Sequence, residues 1–203
     1  VVLLYQTQGE VAGRLEQLGI RTRLMRADRL EDVFANLNAI GALTGRGAQA
    51  RDVAARLRSQ LDRVRTEAGR QARPRVLVVV SRDPAQLRNI FVSTPAHYVG
   101  ELAALAGGEN IFEPGASASV SKEQIVRANP EVILDLSPAE GSGSDAEQQL
   151  RMASWRQLST VEAVRSGRVY LVNDPRALVP GIGAGETAAR FSDLLHGSAE
   201  RPN

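Results

Sequence analysis

His97 and Glu101 stand four residues apart, a spacing that puts two side chains on one helix face. An imidazole and a carboxylate so placed can serve as two ligands of a metal ion, with Asp83 as the candidate third. On this reading the chain binds Zn or Mn directly. The competing reading is a histidine at a helix start beside an exposed acid, with no metal between them. The stretch Ser81–His97 around this pair is the richest loop of the chain. It holds Arg82, Asp83, Arg88, Asn89, Phe91, Ser93 and Thr94.

Catalytic chemistry finds less support. No Gly-x-Ser-x-Gly elbow is present, there is no cysteine, and the two histidines are His97 and His196. No nucleophile–base pair stands out for a small α/β enzyme. Gly181–Gly185 precedes a helical pattern, but it lacks the Lys-Ser/Thr of a phosphate loop and reads as a loop-to-helix turn. His196 falls at a helix C-terminus, where a cation is favoured, and carries no function. Trp155, the one tryptophan, reads as a packing anchor.

The totals bound the class. The 203 residues suffice for one large domain or two smaller lobes, and 43% hydrophobic content makes the chain globular. No apolar run approaches the ~20 residues of a membrane span. The net charge is +2, Lys122 is the sole lysine, and arginines are spread along helices. That pattern describes solvated faces and not a nucleic-acid surface. The chain opens on Val1-Val2-Leu3-Leu4-Tyr5, a buried-strand pattern with no methionine and no signal peptide. Residues before Val1 are therefore expected in the parent protein.

These side chains must be positioned by alternating strands and helices. Val1–Tyr5, an amphipathic Gly9–Leu18 and Ile20–Met25 read as one β-α-β unit. Asp28 is a plausible helix cap with Glu31 three residues on, and Val33, Leu37, Ile40 and Leu43 have helical spacing. Ala48–Ala68 follows without Pro or Gly and reads as a strut. A second α/β region starts at Arg75. It has strands at Val76–Val80, Val132–Leu136 and Val169–Val172, and a loop over Ser81–Thr94. Its helices run from Pro95 to Ala106, from the Ser121/Gln124 capping box to Asn129-Pro130, from a Ser159/Glu162 box to Gly167, and over Glu186–His196. Pro138–Asp145 reads as a Gly/Ser loop and Gly197–Asn203 as a frayed tail. This alternation predicts an α/β fold with parallel sheets.

Several motifs in order carry a resemblance. Glu101-Leu102, then Leu105-Ala106-Gly107-Gly108-Glu109-Asn110-Ile111-Phe112, precede Ser121-x-Glu123 and Asn129-Pro130-Glu131-Val132-Ile133. Trp155-x-x-Leu158, Val164-x-x-Gly167-Arg168-Val169-Tyr170 and Val179-Pro180-Gly181 follow. The pattern resembles the periplasmic substrate-binding proteins of ABC importers for cobalamin, iron-siderophores and haem, and it spans nearly the whole chain.

The resemblance implies two Rossmann-like lobes joined by a long helix, with the N-terminal lobe incomplete here. The segments would be 1–27 as remnant of that lobe, 28–73 as helical connection and 74–203 as the C-terminal lobe. It implies a non-enzymatic, periplasmic or extracytoplasmic lipid-anchored protein that hands a metal chelate to permease subunits. Cobalamin is favoured, because Asp83-Pro84, Leu87-Arg88-Asn89 and Val179-Pro180-Gly181 look most like that branch. Ferric siderophore and haem are the alternatives, with His97 or Tyr98 a possible axial haem ligand. No resident cofactor, metal, nucleic acid or membrane span is expected. Glu123 matches the family's glutamate that pairs with permease arginines; by itself it is an acid favoured by a helix N-terminus. Ligand contacts should come from loops at the carboxyl ends of the strands, which nominates Tyr5, Arg82, Arg88, Phe91, Ser93, His97, Tyr98, Leu178 and Pro180.

Overall fold

Val2–Tyr5 (β1) and Thr22–Met25 (β2) pair in parallel, Val2 opposite Thr22 and Tyr5 opposite Met25. A parallel pair needs a crossover, and Gly9–Gln17 (α1) supplies it. The computed structural model describes residues 1–116, 118–138 and 144–197. Most of the expected Gly/Ser loop, at 139–143, and of the expected tail, at 198–203, lies outside the described residues.

Two helices follow, Leu30–Leu43 (α2) and Gly47–Ala68 (α3). The expected Asp28/Glu31 box gives way to a different arrangement. Arg29 precedes the helix, and Asp32 Oδ2 accepts the backbone N–H groups of Asp28 and Arg29 at 3.0 and 2.9 Å. At 1.5 Å per residue α3 is about 33 Å long. It is more than a strut, because its Leu57, Leu61 and Val64 share one core with Phe191 and Leu195.

The second α/β region forms a six-stranded sheet. Its strands are Arg75–Ser81 (β3), Ile90–Val92 (β4), Glu109–Asn110 (β5), Ser119–Val120 (β6), Val132–Asp135 (β7) and Val169–Leu171 (β8). The order is β6-β4-β3-β7-β8, with β5 also on β3. β3, β7 and β8 run parallel, while β4 is antiparallel to β3 and β6. Between the strands lie Tyr98–Leu105 (α4), Lys122–Ala128 (α5), Asp145–Arg156 (α6) and Glu162–Arg165 (α7), and Ala184–His196 (α8) follows the last strand. Successive side chains of a strand point to opposite faces. Val76 and Val78 therefore join the core with Leu102 and Phe191, while Leu77 and Val79 join the core with Ile125 and Trp155.

Several local expectations are revised. Ile90–Val92 is a strand, not loop. Asn89 turns the chain at φ 50° and donates its amide to the Asp83 carboxylate, returning β4 onto β3. The helix expected from Pro95 starts at Tyr98, with His97 in extended conformation ahead of it. The Ser121/Gln124 box is present. The Ser159/Glu162 box is not: Glu162 donates its backbone N–H to Asn129 Oδ1 at 2.8 Å instead. The whole of α6 is additional to the expected elements.

Candidate functional site

The carboxyl ends of β3, β7 and β8 converge on a buried charge cluster. Asp135, the last residue of β7, is fully enclosed. Its Oδ2 accepts from Arg82 Nε and from the Trp155 indole, both at 2.9 Å. Arg82 Nη2 lies 2.8 Å from the same oxygen, and the guanidinium sits 5.0 Å from the Trp155 ring centroid. Arg151 Nη2 approaches Asp135 Oδ1 at 3.4 Å, while its Nη1 donates to Asn173 Oδ1 at 2.8 Å. The cluster thus pins the loop after β3, the helix α6 and the loop after β8 to one carboxylate.

Burial alone would push the Asp135 carboxyl up. Arg82, with help from the Trp155 N–H and Arg151, outweighs burial and holds it below the usual carboxylate range. Burial also dominates at Arg82 and lowers its pKa despite Asp135, but a guanidinium starts so high that it stays charged.

This cluster corrects the expectation for Arg82. Its side chain is completely buried, and its donors reach Asp135, Ser154 Oγ and the carbonyls of Asp83, Pro84 and Arg151. It braces the loops and presents nothing to a ligand. Ser93 is likewise buried, its Oγ accepting the Gly100 N–H at 2.9 Å. Tyr98 lies in the core, so its ring is not free to stack on a ligand. Burial pushes its phenol up to about 12, against a small opposing effect of the Gly181 backbone. Leu178 is half-buried against the same core.

Arg88, Phe91 and His97 are exposed. Thr94 Oγ1 lies 3.1 Å from His97 Nδ1. The metal reading of His97 with Glu101 fails on geometry. Both Glu101 oxygens are taken, by the Arg29 guanidinium and by the Leu30 N–H, and no metal-ligand cluster occurs among the described residues.

Tyr5 and Pro180 come together. They line a pocket of about 380 Å³ between the β1/β2 unit and the 180–182 turn, with Leu37 and Ile40 of α2, Gln8 and Ile182. Tyr5 keeps its ring half exposed, and its backbone N–H donates to Gln8 Oε1 at 2.9 Å. Larger grooves exist, about 700 Å³ along the outer face of α3 and about 810 Å³ beside Arg29 and Glu101. The first is lined mainly by charged side chains and the second mixes five charged residues with apolar ones, whereas the smaller pocket has no charged residue in its lining and is the better binding candidate. Leu37, Ile40 and Ile182 were missing from the expected set. Helical spacing marks the first two as core, and the signal for the third is an apolar residue beside Val179-Pro180-Gly181.

Glu123 stands exposed in the first turn of α5. The Ser121 side chain, its own backbone and Lys122 together hold its carboxyl below the ordinary value. It is a charged acceptor on a rigid helix start, suited to an arginine fork.

The sequence model of the periplasmic binding proteins matches residues 1–175. The high-affinity heme uptake system protein IsdE of Staphylococcus aureus is 24% identical over 188 residues, 89% of this chain and 62% of that protein. The chain therefore spans less than two thirds of the length of such curated relatives. The structure of IsdE complexed with heme superimposes with a TM-score of 0.76 over 96% of this chain and 76% of that one. An ABC transporter substrate-binding protein from Listeria monocytogenes gives 0.80 at 21% identity, covering 97% and 76%. The periplasmic vitamin B12 binding protein BtuF of Vibrio cholerae gives 0.74 at 19% identity, covering 95% and 72%. These structural likenesses show a shared fold.

Proposed function

The chain belongs to the periplasmic binding protein family, and on that premise we propose that the whole protein captures a tetrapyrrole metal chelate outside the cytoplasm and delivers it to an ABC importer. The observation that carries the reading is the mainly apolar pocket between Tyr5 and Pro180. A flat macrocycle offers apolar faces to such walls, and Tyr5 supplies a half-exposed ring for stacking. Relatives named for heme and for vitamin B12 support the tetrapyrrole class. The ligand is cargo, and the protein acts by binding and not by catalysis. In this reading a separate permease carries the cargo through the membrane; no helix among the described residues is long and apolar enough to cross one. Glu123 is the docking acid for that permease, where a cationic partner side chain meets it.

Two tetrapyrroles compete. The loop Asp83-Pro84 through Asn89 and the Val179-Pro180-Gly181 turn favour cobalamin, while the heme relatives favour haem. Titration of the full-length protein with haemin, cyanocobalamin and a ferric siderophore tests the reading, by visible absorbance and Trp155 quenching. Saturable binding of either tetrapyrrole, with none of the siderophore, is expected. Binding of the siderophore alone, or of none of the three, refutes it.

A further inference from the structure

Glu101 reaches from α4 to the start of α2, across 71 and 72 residues of sequence. Its Oε1 accepts from Arg29 Nε at 2.9 Å and also from Nη2, and its Oε2 accepts the Leu30 N–H at 2.6 Å. Beside it, the Tyr98 N–H donates to the Asp28 carbonyl at 2.8 Å. All of these contacts come from the first turn of α4, directly after the 93–97 loop that follows β4 and ends on His97.

The first N–H groups of a helix have no partner within the helix. At α2 the need is met from two sides. Asp32, of the helix itself, takes the N–H groups of Asp28 and Arg29. The Leu30 N–H takes its acceptor from α4 instead. The Leu30 N–H therefore keeps its acceptor only while α2 and α4 hold this relation. The same helix carries Leu37 and Ile40, one wall of the pocket, and Pro180 with Ile182 forms the opposite wall.

We propose that Glu101 is a latch that sets how the β1/β2 unit and α2 face the 180–182 turn, a positioning residue for the pocket. Charge-assisted contacts of this kind are short and directional. The Glu101 side chain is only 19% exposed, so solvent competes weakly for it. The latch adds to the packing of α2 on α3, where Val33 shares a core with Leu57 and Leu61, and it does not depend on which ligand the pocket takes.

None of the 203 residues is a cysteine, so labels placed among them require only that any cysteine elsewhere in the parent protein be replaced by serine. Spin labels at Gln17→Cys and Ser159→Cys, both exposed positions, report the spacing of the two units in the full-length protein. In Glu101→Ala the distance distribution broadens, and exchange of the Leu30 amide rises about tenfold or more, as loss of a charged acceptor requires. Glu101→Gln keeps one acceptor oxygen but turns its NH2 toward either Arg29 or Leu30, so its distribution falls between those of the wild type and Glu101→Ala. A fall in melting temperature with unchanged distances overturns the proposal, as does unchanged Leu30 exchange. Should Glu101→Ala fail to fold, Arg29→Met removes the other half of the latch; it must broaden the distribution, and an unchanged one overturns the proposal.

Discussion

Asp135 accepts the indole N–H of Trp155 at 2.9 Å, with both groups fully buried. Arg82 and Arg151 share the same carboxylate, so one acid holds two cations away from water. A pair of this kind is costly to break from one side, because the remaining charge stays buried and uncompensated. Asp135→Asn should therefore lower the stability of the chain by about 3–5 kcal/mol, read from the urea midpoint. Trp155 emission should shift to the red in the same variant as the cluster opens. A loss below about 1 kcal/mol would mark the cluster as dispensable.

The same carboxylate sets the acid limb. Its folded pKa is depressed, so its contribution is present above the ordinary carboxylate value and is lost as pH falls through the folded value. Melting temperature of the wild type should thus fall steeply below about pH 4. Asp135→Asn should show a flatter acid limb from its lower starting point.

Tyr98 acts at the other end of the pH scale. Its phenol is raised to about 12, so the unfolded chain ionises first as pH climbs past about 10. Stability present below pH 10 is lost as pH rises through the folded value, by up to about 2–3 kcal/mol. Tyr98→Phe should remove this alkaline loss, measured as the urea midpoint between pH 9 and 12.

Gly100 sits where α4 touches the loop before it. A Cβ there would lie 2.0 Å from the Thr94 carbonyl oxygen, a backbone atom. Gly100→Ala should destabilise by about 2–4 kcal/mol through forced backbone displacement, and calorimetry measures it.

Glu123 and Tyr5 separate docking from capture. Glu123 is exposed and Tyr5 half exposed, so alanine at either position should leave the melting temperature nearly unchanged. Tyr5→Ala should weaken chelate binding about two- to twelve-fold, the worth of one aromatic contact. Glu123→Ala should leave binding intact and reduce stimulation of the reconstituted importer.

Much of the fold is legible in the residues themselves. Unbroken apolar runs such as Val76–Val80 mark buried strands, and Gly107, Asn129 and Gly167 mark helix ends. The strand β4 was hidden because three residues carry no periodicity, and only the turn at Asn89 with its Asp83 contact defines it. The site was less legible. Arg82, Ser93 and Tyr98 look like cleft residues by position, yet each is buried; the Arg82 side chain bonds to Asp135, 53 residues on, and the Ser93 side chain to Gly100 in the following helix. Asp135 was available as an acid inside the apolar run Val132–Leu136. Its cations come from residues 82 and 151, a convergence that no local pattern encodes. Glu101 shows the same limit, since its partner lies 72 residues upstream.

The long helix α3 shares its core with α8, while the segment 69–73 that follows it is exposed and contains the Arg70–Gln71 bond. A trypsin nick there would sever the chain without separating its halves. Leu57, Leu61 and Val64 on one fragment would stay seated against Phe191 and Leu195 on the other. The protein should therefore survive as a two-piece complex that co-migrates on gel filtration and splits only in denaturant. Its integrity resides in the helix–helix seam rather than in the peptide bond that crosses between them.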